Sequence, residues 1–242
     1  ADRWGLFNLS PDGRYACINK EEGSGTLDLW IVDLARGVAN RLTLGTGTNY
    51  VGAWSPDGKQ ILYGSNRGGP RDIYRRAADG TGVDEVFYQS GLPFKDATAW
   101  SPDGKWVVIN ELGGENGWNL FVMPAAGGAR APFLVTPFNE QNAIISPDGR
   151  WVVYVSDATG SPQAFVQSFP TPGMKQQVSK TGAFFGVWAG SGREIFLLRA
   201  DFSVISVPVI PGSELRFGPP REMYRLPLNS GGWSPAPDGQ RF

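Results

Sequence analysis

The sequence predicts an all-β protein built from repeats, and two observations carry this prediction. The tetrapeptide Ser-Pro-Asp-Gly stands at residues 10–13 and returns at 55–58, 101–104 and 146–149. A period of about 45 residues is typical of a repeat architecture in which each repeat is one small structural unit. Apolar runs of strand length, rich in β-branched and aromatic residues, flank each copy, as at 106–109. Such runs between turn signals are typical of β-strands.

The tetrapeptide itself predicts a tight turn between two antiparallel strands. Pro presets φ for a type I turn, Ser and Asp bond nearby backbone groups, and Gly adopts the left-handed conformation that closes the turn. A type I turn followed by a left-handed residue is a common hairpin connection. A degenerate copy, Ala-Gly-Ser-Gly, occupies residues 189–192, and an interrupted copy occupies 234–239.

Between these turns, the strand signals divide each repeat into four strands. We expect the strands of the five repeats, in chain order, at 5–9, 14–19, 27–34 and 38–43; 49–54, 59–65, 72–77 and 83–88; 97–100, 105–110, 118–123 and 132–136; 142–145, 150–156, 163–168 and 175–179; and 183–188, 193–199, 203–207 and 216–226.

Four antiparallel strands per repeat form the blade of a β-propeller, a radial array of sheets around a channel. We therefore predict one domain, 1–242, of four-stranded antiparallel blades in about six-fold geometry. Its five complete blades and the start of a sixth are expected at 5–43, 49–88, 97–136, 142–179, 183–226 and 231–242. An incomplete last blade leaves an open strand edge, which is a template for pairing with a neighbouring chain.

The second repeat carries a more specific pattern. It reads Trp-Ser-Pro-Asp-Gly-Lys at 54–59, Ser-Asn-Arg-Gly-Gly at 65–69 and Asp-Ile-Tyr at 72–74. This pattern resembles the TolB-type, WD-like propeller repeat, and the chain is also similar to the extracytoplasmic propeller regions of some bacterial serine/threonine kinases. The resemblance implies a periplasmic or extracellular bacterial protein. No kinase motif is present in the sequence.

The composition limits the catalytic groups, metal ligands and partners that the sequence can be expected to have. The 242 residues include no histidine, one cysteine and a formal net charge of −1. The absence of His removes the commonest general base and metal ligand, so we expect no metal or other cofactor. Without a basic run or an apolar stretch of about 18 residues, neither a nucleic-acid partner nor a membrane span is predicted. Cys17 aligns with apolar residues of the later repeats, so we interpret it as a core thiol.

The connections opposite the Ser-Pro-Asp-Gly turns vary most between repeats, and they mix aromatics, amides and both charge signs. This is the chemistry of recognition surfaces. Ordinary polar loop surface is the alternative interpretation for any single residue. The candidate ligand-binding residues are Asn66, Arg67, Arg71, Glu111, Glu115, Asn116, Trp118, Phe138, Asn139, Glu140, Phe184 and Phe185.

Two classes of function stay open. The first is a non-catalytic interaction or sensor module that binds a protein, peptide or glycan on this loop face. It is favoured by the regular repeats and by the absence of a nucleophile–base motif. The alternative is an enzyme that acts on glycans at the channel, as a lyase or hydrolase, with Arg, Tyr and carboxylate groups. A fold by itself does not decide between them.

Overall fold

The computed structural model describes residues 4–22, 25–44, 47–113, 117–210 and 215–227. Within these ranges the secondary structure consists of strands and turns, and the strands form five antiparallel sheets. The predicted start of a sixth blade, 231–242, lies outside the described residues.

Each sheet follows the chain order of its strands, which are numbered here from the N-terminal side. The strands are β1 Trp4–Leu9, β2 Tyr15–Glu22, β3 Thr26–Asp33 and β4 Val38–Arg41 in blade 1; β5 Asn49–Trp54, β6 Gln60–Ser65, β7 Asp72–Ala77 and β8 Glu85–Tyr88 in blade 2; β9 Phe94–Trp100, β10 Trp106–Leu112, β11 Trp118–Pro124 and β12 Ala131–Leu134 in blade 3; β13 Glu140–Ile145, β14 Trp151–Ser156, β15 Gln163–Ser168 and β16 Lys175–Gln177 in blade 4; and β17 Phe185–Trp188, β18 Glu194–Leu198, β19 Ser203–Ile210, β20 Arg216–Phe217 and β21 Arg221–Arg225 in blade 5.

The sheets are arranged as the blades of a propeller. The first strand of each blade packs against the first strand of the next, in the order β1, β5, β9, β13, β17, so that these five strands are innermost. In blade 5, β19 pairs with both β20 and β21. The predicted β-propeller of four-stranded antiparallel blades is confirmed for the five blades. Six-fold closure stays a prediction.

The Ser-Pro-Asp-Gly turns share one hydrogen-bond network. In the third blade, Ser101 Oγ donates to Asp103 Oδ1 at 2.6 Å and accepts the Trp106 N–H at 2.9 Å. Asp103 Oδ1 also accepts the Lys105 N–H at 3.1 Å. The Ser101 hydroxyl lowers the pKa of Asp103, because it bonds to the ionised carboxylate. Gly104 has φ +74°, the left-handed conformation that the turn requires.

Neighbouring turns also touch. A Cβ placed on Gly104 would lie 3.7 Å from Cγ of Pro56, which belongs to the turn of the preceding blade. The same Pro-to-Gly approach recurs from Pro102 to Gly149, again at 3.7 Å. The turns therefore form a continuous rim at one end of the channel.

Between the blades, the core is built from aromatic and aliphatic side chains. The Trp54 ring is buried against Cys17 and Leu29 of blade 1, and its Nε1 donates to the Asn8 carbonyl at 3.1 Å. Trp188 repeats this bond to the Ile144 carbonyl at 3.2 Å. Burial of a large apolar side chain contributes about 1.5–3 kcal/mol. Cys17 is fully buried, and desolvation raises the pKa of its thiol to about 12, as expected for a core thiol.

Polar groups also join the blades. Lys95, at the start of the third blade, is fully buried, and its Nζ donates to Asp72 Oδ1 at 2.7 Å and to the Ser90 carbonyl at 2.8 Å. At the previous junction, Asn49 Nδ2 donates to Asp28 Oδ1 at 3.1 Å. At both junctions a residue at the start of an inner strand thus binds a side chain of the preceding blade, which fixes how these blades meet.

The turn network makes a prediction about stability. Replacing Ser101 by Ala removes the part-buried hydrogen bond that its hydroxyl accepts from the Trp106 N–H and the one that it donates to Asp103, so we expect the free energy of unfolding to fall by about 1–2 kcal/mol. Ser191 is the matched control. It stands in the degenerate turn and makes one exposed bond, to the Arg193 N–H at 3.2 Å. Urea denaturation of S191A should differ from wild type by about 0.5 kcal/mol or less. Equal losses in the two variants would contradict the proposed role of the network.

Candidate functional site

The two ends of the propeller carry different connections between strands. The turns at 10–13, 55–58, 101–104, 146–149 and 189–192 lie at one end, here called the turn face. The connections between second and third strands, and from each blade to the next, lie at the other end, here called the loop face. This follows from the antiparallel order of the strands. The loop face therefore carries the variable sequence.

A cavity of about 720 Å³ runs along the inner strands. Its wall is mostly apolar, and side chains from all five described blades contribute, including Phe7, Val51, Ala99, Ile144 and Val187. Among the described residues of its lining, Arg71 and Asp96 are the charged ones. An apolar cavity with a few placed polar groups is the usual form of a ligand site.

Arg71 and Asp96 form an ion pair in this cavity. Arg71 Nη1 lies 3.0 Å from Asp96 Oδ2 and 3.2 Å from Oδ1. The guanidinium Cζ is 3.4 Å from the centroid of the Tyr50 ring and 5.0 Å from that of Phe94. Cations are attracted to the faces of aromatic rings. The pair is therefore held in a fixed orientation between two aromatic groups.

Backbone bonds fix the same region. The Arg71 N–H donates to the Pro93 carbonyl at 2.9 Å, and the Lys95 N–H donates to the Arg71 carbonyl at 3.1 Å. These bonds join the start of β7 in blade 2 to the start of β9 in blade 3. Desolvation raises the pKa of Asp96, and the nearby Arg71 opposes that rise without cancelling it.

A second cavity, of about 490 Å³, lies on the loop face between blades 2 and 3. Tyr50 and Arg71 line both cavities, so the second one opens beside the channel mouth. The rest of its lining is Asn66, Gly69, Pro70, Gly91, Pro93 and Phe94.

Four of the predicted site residues line one of these cavities or stand at the mouth. Arg71 lines both, Asn66 the second cavity and Phe185 the channel. Asn66 Oδ1 accepts the Thr48 N–H at 2.6 Å. The Phe184 side chain is 50% exposed, and its carbonyl accepts a hydrogen bond from Asn142 Nδ2 at 2.9 Å.

Arg67 is instead held within blade 2. Its Nη1 donates to Asp84 Oδ2 at 2.5 Å and its Nη2 to the Tyr63 hydroxyl at 2.8 Å. The guanidinium also lies over the Tyr74 ring, with Cζ 4.5 Å from the centroid. Arg67 lines neither cavity. Its contacts are those of a residue that stabilises the blade.

Glu111 lies at the junction of blades 2 and 3 and is almost fully buried. Its Oε1 accepts hydrogen bonds from Ser90 Oγ at 2.6 Å and from the Tyr88 hydroxyl at 3.3 Å. Its Oε2 lies 2.9 Å from Arg130 Nη2. Glu111 therefore links two blades and lines neither cavity.

Three predicted residues lie on the loop face around blades 3 and 4. The Trp118 ring is 6.3 Å from that of Phe94, centroid to centroid. Asn139 Oδ1 accepts the Trp118 N–H at 3.2 Å, while its Nδ2 donates to Asp157 Oδ2 at 2.8 Å. Phe138 is 40% exposed. Glu115 and Asn116 lie outside the described residues.

Glu140 is fully buried at the start of β13. Thr136 Oγ1 donates to its Oε1 at 2.8 Å, and its Oε2 has no hydrogen-bond partner. Burial raises the pKa of Glu140, and this effect exceeds the opposing influence of the Thr136 and Ser156 hydroxyls. Asn119 Oδ1 of blade 3 is also buried without a partner. Two buried side-chain oxygens thus lie at the junction of blades 3 and 4 without a hydrogen-bond partner among the described residues.

Sequence reasoning missed Asp96, Tyr50 and Asn142, which all line the channel. The structure extends the predicted strand 97–100 to begin at Phe94, and in this strand buried residues alternate with partly exposed ones, with Asp96 on the exposed side. Asn142 is marked by its backbone, which has φ 55° at an irregularity in the pairing of β13 with β14.

The ranges that the structure describes contain no cluster of three or more His, Cys, Asp or Glu side chains with the spacing of a metal site. In the same ranges, no helix has the length and apolarity needed to span a membrane.

Comparison with known proteins identifies the fold. No family model matches the chain. The solved structure of a protein described as TolB from Agrobacterium tumefaciens superposes with a TM-score of 0.75 at 19% identity, over 98% of this chain and 87% of that one. TolB from Acinetobacter baumannii gives a TM-score of 0.74 at 16% identity, over 93% of this chain and 55% of that one. The chain thus has the β-propeller fold of TolB proteins.

Other relatives are more partial. The uncharacterized protein Atu1656 of Agrobacterium fabrum is 36% identical over 106 residues, which are 41% of this chain and 33% of that protein. The uncharacterized peptidase YuxL of Bacillus subtilis is 28% identical over 44% of this chain and 17% of its own length. The matches thus span a third or less of these two relatives. An oligogalacturonate lyase from Vibrio parahaemolyticus shares the fold at a TM-score of 0.61 and 12% identity, over 93% of this chain and 66% of that one.

The buried Glu140 predicts a pH dependence. Because its pKa is raised in the folded state, folded protein binds more protons than unfolded protein, and stability falls as pH rises from the unfolded pKa to the folded one. Glu140→Gln carries no charge and replaces one carboxylate oxygen by an amide NH2 group, while the other oxygen can still accept from Thr136 Oγ1. We expect E140Q to be more stable than wild type at pH 8 by about 1 kcal/mol or more, and to lose this advantage at pH 4. Urea denaturation at both pH values tests this, and a destabilised E140Q at pH 8 would contradict it.

Proposed function

We propose that this β-propeller is a non-catalytic interaction module that binds a peptide segment of a partner protein on its loop face, at the mouth of the channel. The observation that carries the proposal is the channel itself: an apolar cavity of about 720 Å³ with one fixed ion pair, Arg71–Asp96, in its lining. An extended peptide presents apolar side chains together with backbone donors and acceptors, which match such a lining.

Exposed aromatic groups on the same face support this proposal. Phe94, Phe138 and Phe184 are 38%, 40% and 50% exposed, and all three lie in or next to connections of the loop face. Aromatic residues are enriched in protein–protein interfaces, where they contribute much of the binding energy. Exposed aromatic anchors on the face where the channel opens are expected of a peptide-binding surface.

We further propose that the protein works in the periplasm or outside the cell. The proposal rests on the similarity of the repeat pattern and the fold to TolB proteins. The class of partner that we propose is a protein, peptide or glycan. A peptide is preferred because the channel wall is mostly apolar. Strand pairing with a neighbouring chain at the edge predicted from residues 231–242 stays a proposal.

The proposal is tested with peptides selected from a displayed library of random 15-residue sequences. Binding of the selected peptides is measured by fluorescence anisotropy for wild type, F138S, F184S and the control L34S. Leu34 is equally exposed, at 51%, but it lies at the turn face, where its N–H donates to the Arg14 carbonyl. We expect F184S to weaken binding about tenfold, as loss of an aromatic anchor typically does, and L34S to change it less than twofold.

The opposite pattern, with binding lost in L34S and retained in F138S and F184S, would contradict a loop-face site. Thermal unfolding of each variant shows that a change in binding does not come from a change in folding.

A second candidate is an enzyme that acts on glycans. It is favoured by the shared fold of the oligogalacturonate lyase and by the placement of Arg71, Asp96 and Tyr50 in one cavity. If this candidate holds, incubation with polygalacturonate releases shorter fragments, and D96N abolishes the release. Absence of release in wild type, measured by chromatography of the products, would exclude this substrate.

A further inference from the structure

We propose that the cavity of about 490 Å³ between blades 2 and 3 is a pocket for a carboxylate attached to an apolar group. Arg71 and Asn66 bind the carboxylate, and Phe94 with the neighbouring prolines contacts the apolar group. This inference rests on the proposed function, because it names the chemical group that the loop face recognises.

The pocket lining offers donors, and Asp96, the carboxylate that pairs with Arg71, lines the channel instead. Its lining includes one charged residue, Arg71, and no Asp or Glu among the described residues. Both guanidinium bonds to Asp96 leave from Nη1, so Nη2 keeps its two N–H groups for a ligand. Arg71 Nε is buried without a hydrogen-bond partner. A carboxylate in the pocket would supply an acceptor for Nη2.

Asn66 adds a second donor. Its Oδ1 is occupied by the Thr48 N–H at 2.6 Å, which orients the amide and leaves Nδ2 for the ligand. A carboxylate has two oxygens, so it can accept from Nη2 of Arg71 with one and from Nδ2 of Asn66 with the other. The side chains of both residues line the same cavity.

The site is organised before a ligand arrives. The Arg71 guanidinium is stacked on the Tyr50 ring at 3.4 Å from its centroid. Its backbone is tied to β9 by bonds to the Pro93 carbonyl and from the Lys95 N–H. A planar guanidinium that is already fixed loses little conformational freedom when it binds a planar carboxylate.

The remaining wall suits an apolar group. Pro70, Pro93 and Phe94 present rings, and the Phe94 side chain is 38% exposed. The two glycines leave room, since a Cβ placed on Gly69 or Gly91 would meet no atom within 4 Å. The volume lies within the range of small-ligand sites, about 300–1,000 Å³. Asp96 belongs to the lining of the channel and not of this pocket.

Two sources carry this chemistry: the C-terminal carboxylate of a peptide and a small apolar carboxylic acid. The probes are therefore N-acetyl-Ala-Phe with a free carboxylate, the same dipeptide with an amidated C-terminus, and 3-phenylpropanoate. Binding to the full chain is measured by NMR titration. We expect the free acid to bind at least tenfold more tightly than the amide. Equal affinity of 3-phenylpropanoate would identify a small acid as sufficient, while a clear preference for the dipeptide would identify a chain terminus.

Two variants and a matched control locate the site. R71Q removes the charge, and N66D keeps the Oδ1 acceptor for Thr48 while placing a negative charge in the pocket, so it retains the local fold. Each variant should bind the free acid at least tenfold more weakly than wild type does. The control R75Q removes an Arg of β7, the strand that begins directly after Arg71; the partner of Arg75 is Glu85, at 2.7 Å, and Arg75 lines neither cavity. It should change the affinity less than twofold.

The inference is overturned if the amide binds as tightly as the acid, if N66D leaves the affinity unchanged, or if none of the probes binds at millimolar concentration. Its failure is separable from failure of the proposed function. Library peptides could bind F184S more weakly than wild type and yet bind equally well with free and amidated C-termini. That result would support the loop-face site and contradict the carboxylate pocket.

Discussion

The hydrogen bonds of one serine hydroxyl stabilise the turn between the first two strands in four of the five described blades. Ser101 Oγ donates to Asp103 and accepts the N–H of Trp106, and the same bonds occur at the turns that begin with Ser10, Ser55 and Ser146. The bonds end the inner strand and begin the second one at the same point of these four blades, while in blade 5 the backbone bond from the Ala189 N–H to the Glu194 carbonyl, at 2.9 Å, marks that point. Because neighbouring turns touch through Pro and Gly, the repeated turn also sets the spacing of the blades around the channel.

Because of this constraint, the two ends of the molecule differ in how much their sequences vary between blades. At the turn face, the residues are those that the turn geometry requires, and their side chains bond mainly within their own turn. At the loop face, the blades are joined by side chains such as Lys95 and Asn139, and the connections are otherwise free to vary. The channel opens among these connections. Arg71 and Asp96 therefore lie where the rigid blades meet the variable connections. Such a combination is common in binding proteins.

Much of the fold could be predicted from the sequence, because a period of about 45 residues reports the geometry within each blade. The site was less accessible. Arg71 lines both cavities, but Arg67 and Glu111 bond within and between blades. Asp96 was missed because it stands inside a strand, and its position depends on which side of that strand faces the channel. Contacts between blades depend on twist and stagger, which the local pattern does not report.

The central claim is that the loop face, at the mouth of the channel, is the binding surface. Hydrogen–deuterium exchange of the protein with and without a tightly bound selected peptide tests it most directly. The account predicts added protection in the segments 47–53, 66–72 and 91–96, which surround Arg71, with little change at the turns 55–58, 101–104 and 146–149. Protection concentrated at those turns, with none around Arg71, would contradict it.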